Sequence, residues 1–162
     1  MRGAYEPLLS SVSFLQSTVH GGWIERFAEH HRLIARVNLG TTLVSRFDDL
    51  PPSLRFFAGG DNSVRGYGLD RIAPRDSEGN IVGGKNLITG SLEYEYRFWD
   101  NWGLATFVDS GDAFDQAKPS MKTGVGIGFR WISLVGPLRL DLAHGLEDGN
   151  LVRFYLNFGP EL

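Results

Sequence analysis

The chain contains no cysteine, which removes disulfide frameworks, thiol nucleophiles and zinc-thiolate sites together and leaves the redox compartment open. Its four histidines, His20, His30, His31 and His144, stand without acidic residues at metal-ligand spacing and read as loop residues, so no metal and no cofactor is expected. No apolar run approaches the ~18 residues that a membrane-spanning helix needs. The mean hydropathy of -0.15 is no guide here, because strands that meet lipid with every second residue average close to soluble proteins. An excess of one charge is also missing. The 16 Lys and Arg against 19 Asp and Glu give a net -3, without the basic balance that a nucleic-acid partner calls for. Proline is scarce, 7 against 21 glycines, which suits a sheet with tight turns better than a helical bundle. The opening MRGAYEPLLSS lacks the apolar core of a secretory signal, so an exported protein would need sequence upstream of Met1.

What the sequence does hold is alternation. Composition does not shift along the chain, so one unit is expected over 1–162. Leu8 to Val19 reads as a strand whose alternation slips where Phe14 and Leu15 adjoin, and His20 to Glu29 (HGGWIERFAE) as a Gly-Gly turn. Arg32 to Val44 sets Leu33, Ala35, Val37, Leu39 and Leu43 on one face. Leu87 to Phe98 sets Ile88, Leu92, Tyr94 and Tyr96 against Thr89, Ser91, Glu93 and Glu95. Trp102 to Asp109 is the next strand, followed by a loop at Gly111. Thr123 to Trp131 alternates Val125, Ile127 and Phe129 with Gly124, Gly126 and Gly128, three glycines on one face that leave room for a close approach. Leu138 to Ala143 comes next, and the last strand sets Val152, Phe154, Leu156 and Phe158 against Arg153, Tyr155 and Asn157. The fold class expected is all-β, antiparallel and up-and-down, with about seven strands.

Alternation alone leaves open which face meets water. The connections are short after Phe98 and Trp131 and long after Val44, Asp109 and Ala143, the asymmetry of an outer-membrane barrel. Trp99, Trp102, Trp131 and Phe158 then fall at one edge, as an aromatic girdle does. On this reading the apolar rows touch lipid, and Glu93, Glu95, Arg97, Arg130, Arg139, Asp141 and Arg153 point into a lumen.

The longest connection, 46–86, exceeds the ~12 to 15 residues usual for a loop in a compact domain. Its centre, Arg55 to Pro74 (RFFAGGDNSVRGYGLDRIAP), combines Gly59, Gly60, Gly66 and Gly68 with Phe56, Phe57 and Tyr67. That is too aromatic for a linker and too rich in glycine for a helix or central strand. A phosphate cradle is the weaker reading, since Pro74, Gly79, Gly83 and Gly84 interrupt the stretch after the glycines before a helix can form.

These motifs resemble the BamA/TamA superfamily of outer-membrane assembly and secretion barrels, the bacterial surface antigen family. SVRGYG (Ser63 to Gly68) is similar to its VRGY/F loop signature, FVDSG (Phe107 to Gly111) to its FxDxG strand motif, and GVGIGFRW with VGPLRLDLA to the strand pair after it. RFFAGGD, LITGSLEYEY, FVDSGDAF and the terminal FGPEL are most similar to the branch of TamA, the translocation and assembly module subunit. The resemblance implies the last seven or so strands of a barrel of about sixteen, preceded in the family by POTRA domains, because an open sheet cannot satisfy its edges in lipid. It also implies that loop 46–86 folds into the lumen, where Val64, Arg65, Gly66 and Tyr67 would be held by Phe107, Asp109, Gly111, Glu93, Glu95 and Arg130, with Arg65 paired to Asp109. Val152, Phe154, Leu156 and Phe158 would form one side of a seam at which client strands are templated. The partners implied are outer-membrane lipid, unfolded outer-membrane client proteins and an inner-membrane-anchored TamB-like protein, with no nucleic acid.

Other readings stay open from the residues alone. A two-partner secretion pore shares the VRGY and FxDxG motifs. A soluble β-barrel binding a small apolar ligand would turn Leu92, Tyr94 and Phe129 inward. Glu93, Glu95 and Asp109 can be posed as a carboxylate pair for glycoside hydrolysis, but carboxylates two apart on a strand more often face solvent, and no enzyme is expected.

Overall fold

The structure, a computed structural model, describes residues 2–4, 13–115, 118–134, 136–149 and 151–159. Alternation became strand throughout. The chain forms β1 (Arg2–Ala4), β2 (Phe14–Ala28), β3 (His31–Val44), β4 (Asn86–Trp99), β5 (Trp102–Phe114), β6 (Lys122–Ser133), β7 (Gly136–Gly145) and β8 (Val152–Phe158). They lie side by side in chain order, each antiparallel to the next. Seven are long and β1 adds three residues at one edge; the only helix among the described residues is a 3-10 turn at Pro52–Leu54.

Three expectations are corrected. His20, His31 and His144 lie in β2, β3 and β7 and only His30 lies in a turn. Gly21 and Gly22 make no turn. They pair with Val37 and Arg36 inside the β2–β3 ladder, neither adopts a positive φ, and the reversal falls at Glu29 and His30. Nor does a loop begin at Gly111, because β5 continues to Phe114 with Gly111 opposite Thr89 and Lys122. Glycine is needed there for closeness, since a Cβ would lie 2.7 Å from the Ile88 carbonyl oxygen. Of the first expected strand, residues 8–12 lie outside the described residues, as does the end of FGPEL.

The sheet is inverted relative to a soluble one. Its apolar row stands in the open, with Ile127 61% and Leu104 53% exposed, while its charged row is buried, Glu93 and Asp109 at 1% each. Leu92 is exposed, so the apolar-ligand barrel is ruled out. Three of the four tryptophans fall in one line across the register, Trp99 opposite Trp102, Trp102 opposite Trp131, Trp131 opposite Leu138 and Leu138 opposite Phe158, while Trp23 lies apart on β2 opposite Ala35. Trp102 and Trp131 stack at 5.3 Å. What buries the charged row is the connection between β3 and β4, residues 45–85. It carries its own small core of Phe56, Ala58, Val64, Tyr67 and Ile72, closed against Ala113 of β5. Paired bridges at Phe56–Gly84 and Ala58–Ile72 hold it in shape.

Candidate functional site

The site is the place where this loop meets the sheet, and strand parity builds it. Phe107, Asp109 and Gly111 are two apart on β5, Glu93 and Glu95 two apart on β4, and Arg130 and Asp141 occupy the same face of β6 and β7. Every one of these positions therefore lies on the face of the sheet that the loop covers.

Arg65 is the hub, 2% exposed. Its guanidinium donates Nε to Asp109 Oδ2 at 2.7 Å and Nη2 to Asp109 Oδ1 at 2.9 Å, a bidentate fork. Its backbone N–H donates to the same carboxylate at 3.1 Å. Nη1 is shared between Glu93 at 2.8 Å and Asp141 at 3.0 Å. Arg130 answers from the sheet, reaching Glu93 at 2.5 Å, Asp141 at 2.6 Å and Glu95 at 3.0 Å, while Arg32 holds the far oxygen of Glu95. Carboxylates and guanidiniums thus alternate from Arg65 to Arg32, each buried charge beside its opposite, which is the condition for keeping such groups out of water. Glu93, Glu95 and Asp109 are all engaged by arginine, a geometry that seats a loop.

The three glycines of β6 are explained by what lies over them. A Cβ on Gly124 would strike the Arg65 carbonyl, one on Gly126 the Phe107 ring, and one on Gly128 Asp141 and Arg130. Val64 is fully buried in the loop core. Gly66 takes φ +97 with its Cα against Gly145 of β7, a conformation that glycine adopts without strain.

Two further anchors were not named from the sequence. The Tyr67 hydroxyl donates to the Glu147 carboxylate and accepts the Glu147 backbone N–H at 3.1 Å. Burial, and then this hydrogen bond to a carboxylate, push the phenol up to about 12, and the same bond holds Glu147 below its ordinary value. On β8, Arg153 and Tyr155 also reach the loop. Glu147 lies in a turn without periodicity, and parity placed Tyr155 inward without naming its partner. The apolar row of β8, Val152, Phe154, Leu156 and Phe158, points away from the loop and is 60–64% exposed. Among the described residues no group of His, Asp and Glu is placed to hold a metal ion.

The pattern of the Omp85 superfamily domain matches residues 2–161. The chain belongs to the Omp85 superfamily. Within it, this Omp85 chain is 32% identical over 151 residues to the outer membrane protein assembly factor BamA of Nitratidesulfovibrio vulgaris, a match that covers 88% of this chain and 19% of that protein. It is 30% identical over 132 residues to outer envelope protein 80, chloroplastic, of Arabidopsis thaliana, covering 74% of this chain and 16% of that one. The chain therefore spans less than a fifth of these relatives. Its fold matches the crystal structure of BamA from Haemophilus ducreyi lacking POTRA domains 1-3, with a TM-score of 0.71 at 18% identity over 88% of this chain and 33% of that one. The Omp85 sheet described above is thus a portion of an outer-membrane β-barrel.

Proposed function

We propose that this chain is the C-terminal part of the barrel of an outer-membrane protein assembly factor, and that it acts without catalysis by offering the edge of β8 to an incoming β-strand. The protein resides in the bacterial outer membrane, its apolar row against lipid. The observation that carries the reading is the sheet with its apolar row exposed and its charged row buried under the loop, in a chain similar to outer membrane protein assembly factors over 88% of its length. In the whole barrel, the row of backbone N–H and C=O groups of β8 that faces away from β7 would be the template for β-augmentation by an unfolded outer-membrane client. Arg65, gripped by Asp109, Glu93 and Asp141, keeps the loop seated in the lumen so that the sheet behind this edge stays ordered.

This chain has no cysteine, and with any cysteines in the rest of the protein replaced by serine a crosslinking test is clean. In the whole protein reconstituted in lipid vesicles, Leu156→Cys on β8 is expected to form disulfides with single cysteines placed along a client's terminal strand, and Val125→Cys on the interior strand β6 is not. Equal crosslinking from both positions, or none from β8, refutes the reading.

The finer assignment is to the TamA-like branch, supported by RFFAGGD, LITGSLEYEY and FVDSGDAF. It calls for a TamB-like partner anchored in the inner membrane and reached through POTRA domains, and for clients of the autotransporter type. Co-purification of such a partner with the whole protein tests it. Recovery of a secreted adhesin with no such partner points instead to a two-partner secretion pore.

A further inference from the structure

Two inward side chains of β8 hold the loop. The Tyr155 hydroxyl accepts the Gly66 N–H at 3.0 Å and donates to the Tyr67 carbonyl at 2.9 Å. Arg153 donates Nε to the Gly66 carbonyl at 3.2 Å and Nη2 to Asp148 at 3.0 Å. Three backbone groups of two consecutive loop residues are thereby satisfied by β8 alone. The loop is firm at this point: a Cβ on Gly66 would lie 2.5 Å from the Gly145 nitrogen, and the neighbouring Arg65 is locked to Asp109.

Among the described residues β8 is joined to the sheet by its ladder to β7, from Leu138–Phe158 to His144–Val152, and its outward row is exposed and turned away from the loop. The inner row is therefore where the rest of this chain can bear on the order of β8, and there its side chains end on the loop.

We propose that Tyr155 is a positioning residue that couples seating of the VRGY loop to the order of the terminal strand: withdrawing the loop loosens β8, and reseating it locks β8. The inference rests on the strand-templating reading above and adds what controls the template. A phenol that is both donor and acceptor to adjacent backbone groups senses displacement of either. Coupling of this kind is reciprocal, so loosening β8 must also loosen the loop.

Hydrogen exchange on the whole protein in lipid vesicles, with no client present, reads the coupling directly. Tyr155→Phe keeps the ring and removes only the hydroxyl. Exchange of amides 152–158 and 66–68 is expected to rise about tenfold, as the loss of a buried hydrogen bond does, with β5 and β6 unchanged. Arg65→Ala, which frees the loop from β5, is expected to raise exchange in β8 by a similar factor in the wild-type background, and by less than about twofold once Tyr155→Phe is present. Unaltered β8 exchange in Tyr155→Phe, or an Arg65→Ala effect of equal size in both backgrounds, overturns the proposal. If Arg65→Ala does not fold, Tyr155→Phe alone decides. Because no client is present, loss of coupling leaves the templating reading standing, and failure of the Leu156→Cys crosslink leaves the coupling standing.

Discussion

The guanidinium of Arg65 lies over the face of Phe107, its Cζ 3.3 Å from the ring centroid, while Asp109 on the same strand takes its Nε and Nη2. One strand thus supplies both a flat floor and a forked acceptor for one planar cation. Residues two apart on β5 share a face, so the FxD spacing of the motif is the pleat repeat itself. Lysine has neither the plane nor the fork, and does not replace arginine here.

Arg65→Ala is expected to destabilise the whole protein by about 3–5 kcal/mol, because it leaves Asp109 buried without its cation. Asp109→Ala falls in the same range. The double variant is expected to cost well below the sum, since each single change already breaks the same fork. Urea unfolding from lipid vesicles measures the cycle, and strict additivity would show the two residues to be energetically independent.

Gly128→Ala is expected to cost about 1–3 kcal/mol, because the added methyl falls on Asp141 and Arg130 and forces them off their ion pair. Gly90→Ala provides the contrast. A Cβ there comes no nearer than 3.9 Å to the Arg36 carbonyl, and its effect should stay within about 0.5 kcal/mol. Similar losses at both positions would mean that glycine serves β6 through flexibility and not through clearance.

Ile127→Arg puts a charge at the middle of β6 on the exposed apolar row. At the bilayer midplane that costs roughly 2–4 kcal/mol. Unfolding from vesicles should show this loss, and detergent micelles, with their wetter surface, a smaller one. An unchanged midpoint in lipid would place that row away from hydrocarbon.

Tyr67 is expected to ionise at about 12 in the folded protein and near 10 when unfolded. The folded value is raised, so the contribution of this phenol to loop docking is fully present below about pH 10 and is lost as pH rises through about 12. The tyrosinate absorbance difference between wild type and Tyr67→Phe isolates the transition. Glu147→Gln should move it downward by removing the carboxylate that accepts the phenol's proton. A transition near 10 in the folded protein would mean that Tyr67 is in water.

The strands and their sidedness were legible in the sequence, because a period of two is imposed by the backbone and survives in the residue pattern whichever face is wet. The exceptions are instructive. Gly21 and Gly22 read as a turn but pair within β2, and Gly111 read as the start of a loop but serves a close approach inside β5. Glycine signals permission for an unusual backbone or for a near neighbour, and only the neighbour tells which.

By itself the sequence determined which row of each strand is apolar and which charged, where the aromatic edge falls, and that the VRGY segment is too specific for a linker; these are properties of residues spaced along one chain. The tertiary structure alone decided that Arg65 divides its donors among three acids on three strands, that Glu147 caps Tyr67, and that Tyr155 ties β8 to the loop. Those contacts join residues 28 to 88 positions apart. No local spacing encodes them, because they exist only once the register of six antiparallel strands has brought their inner rows under the same loop.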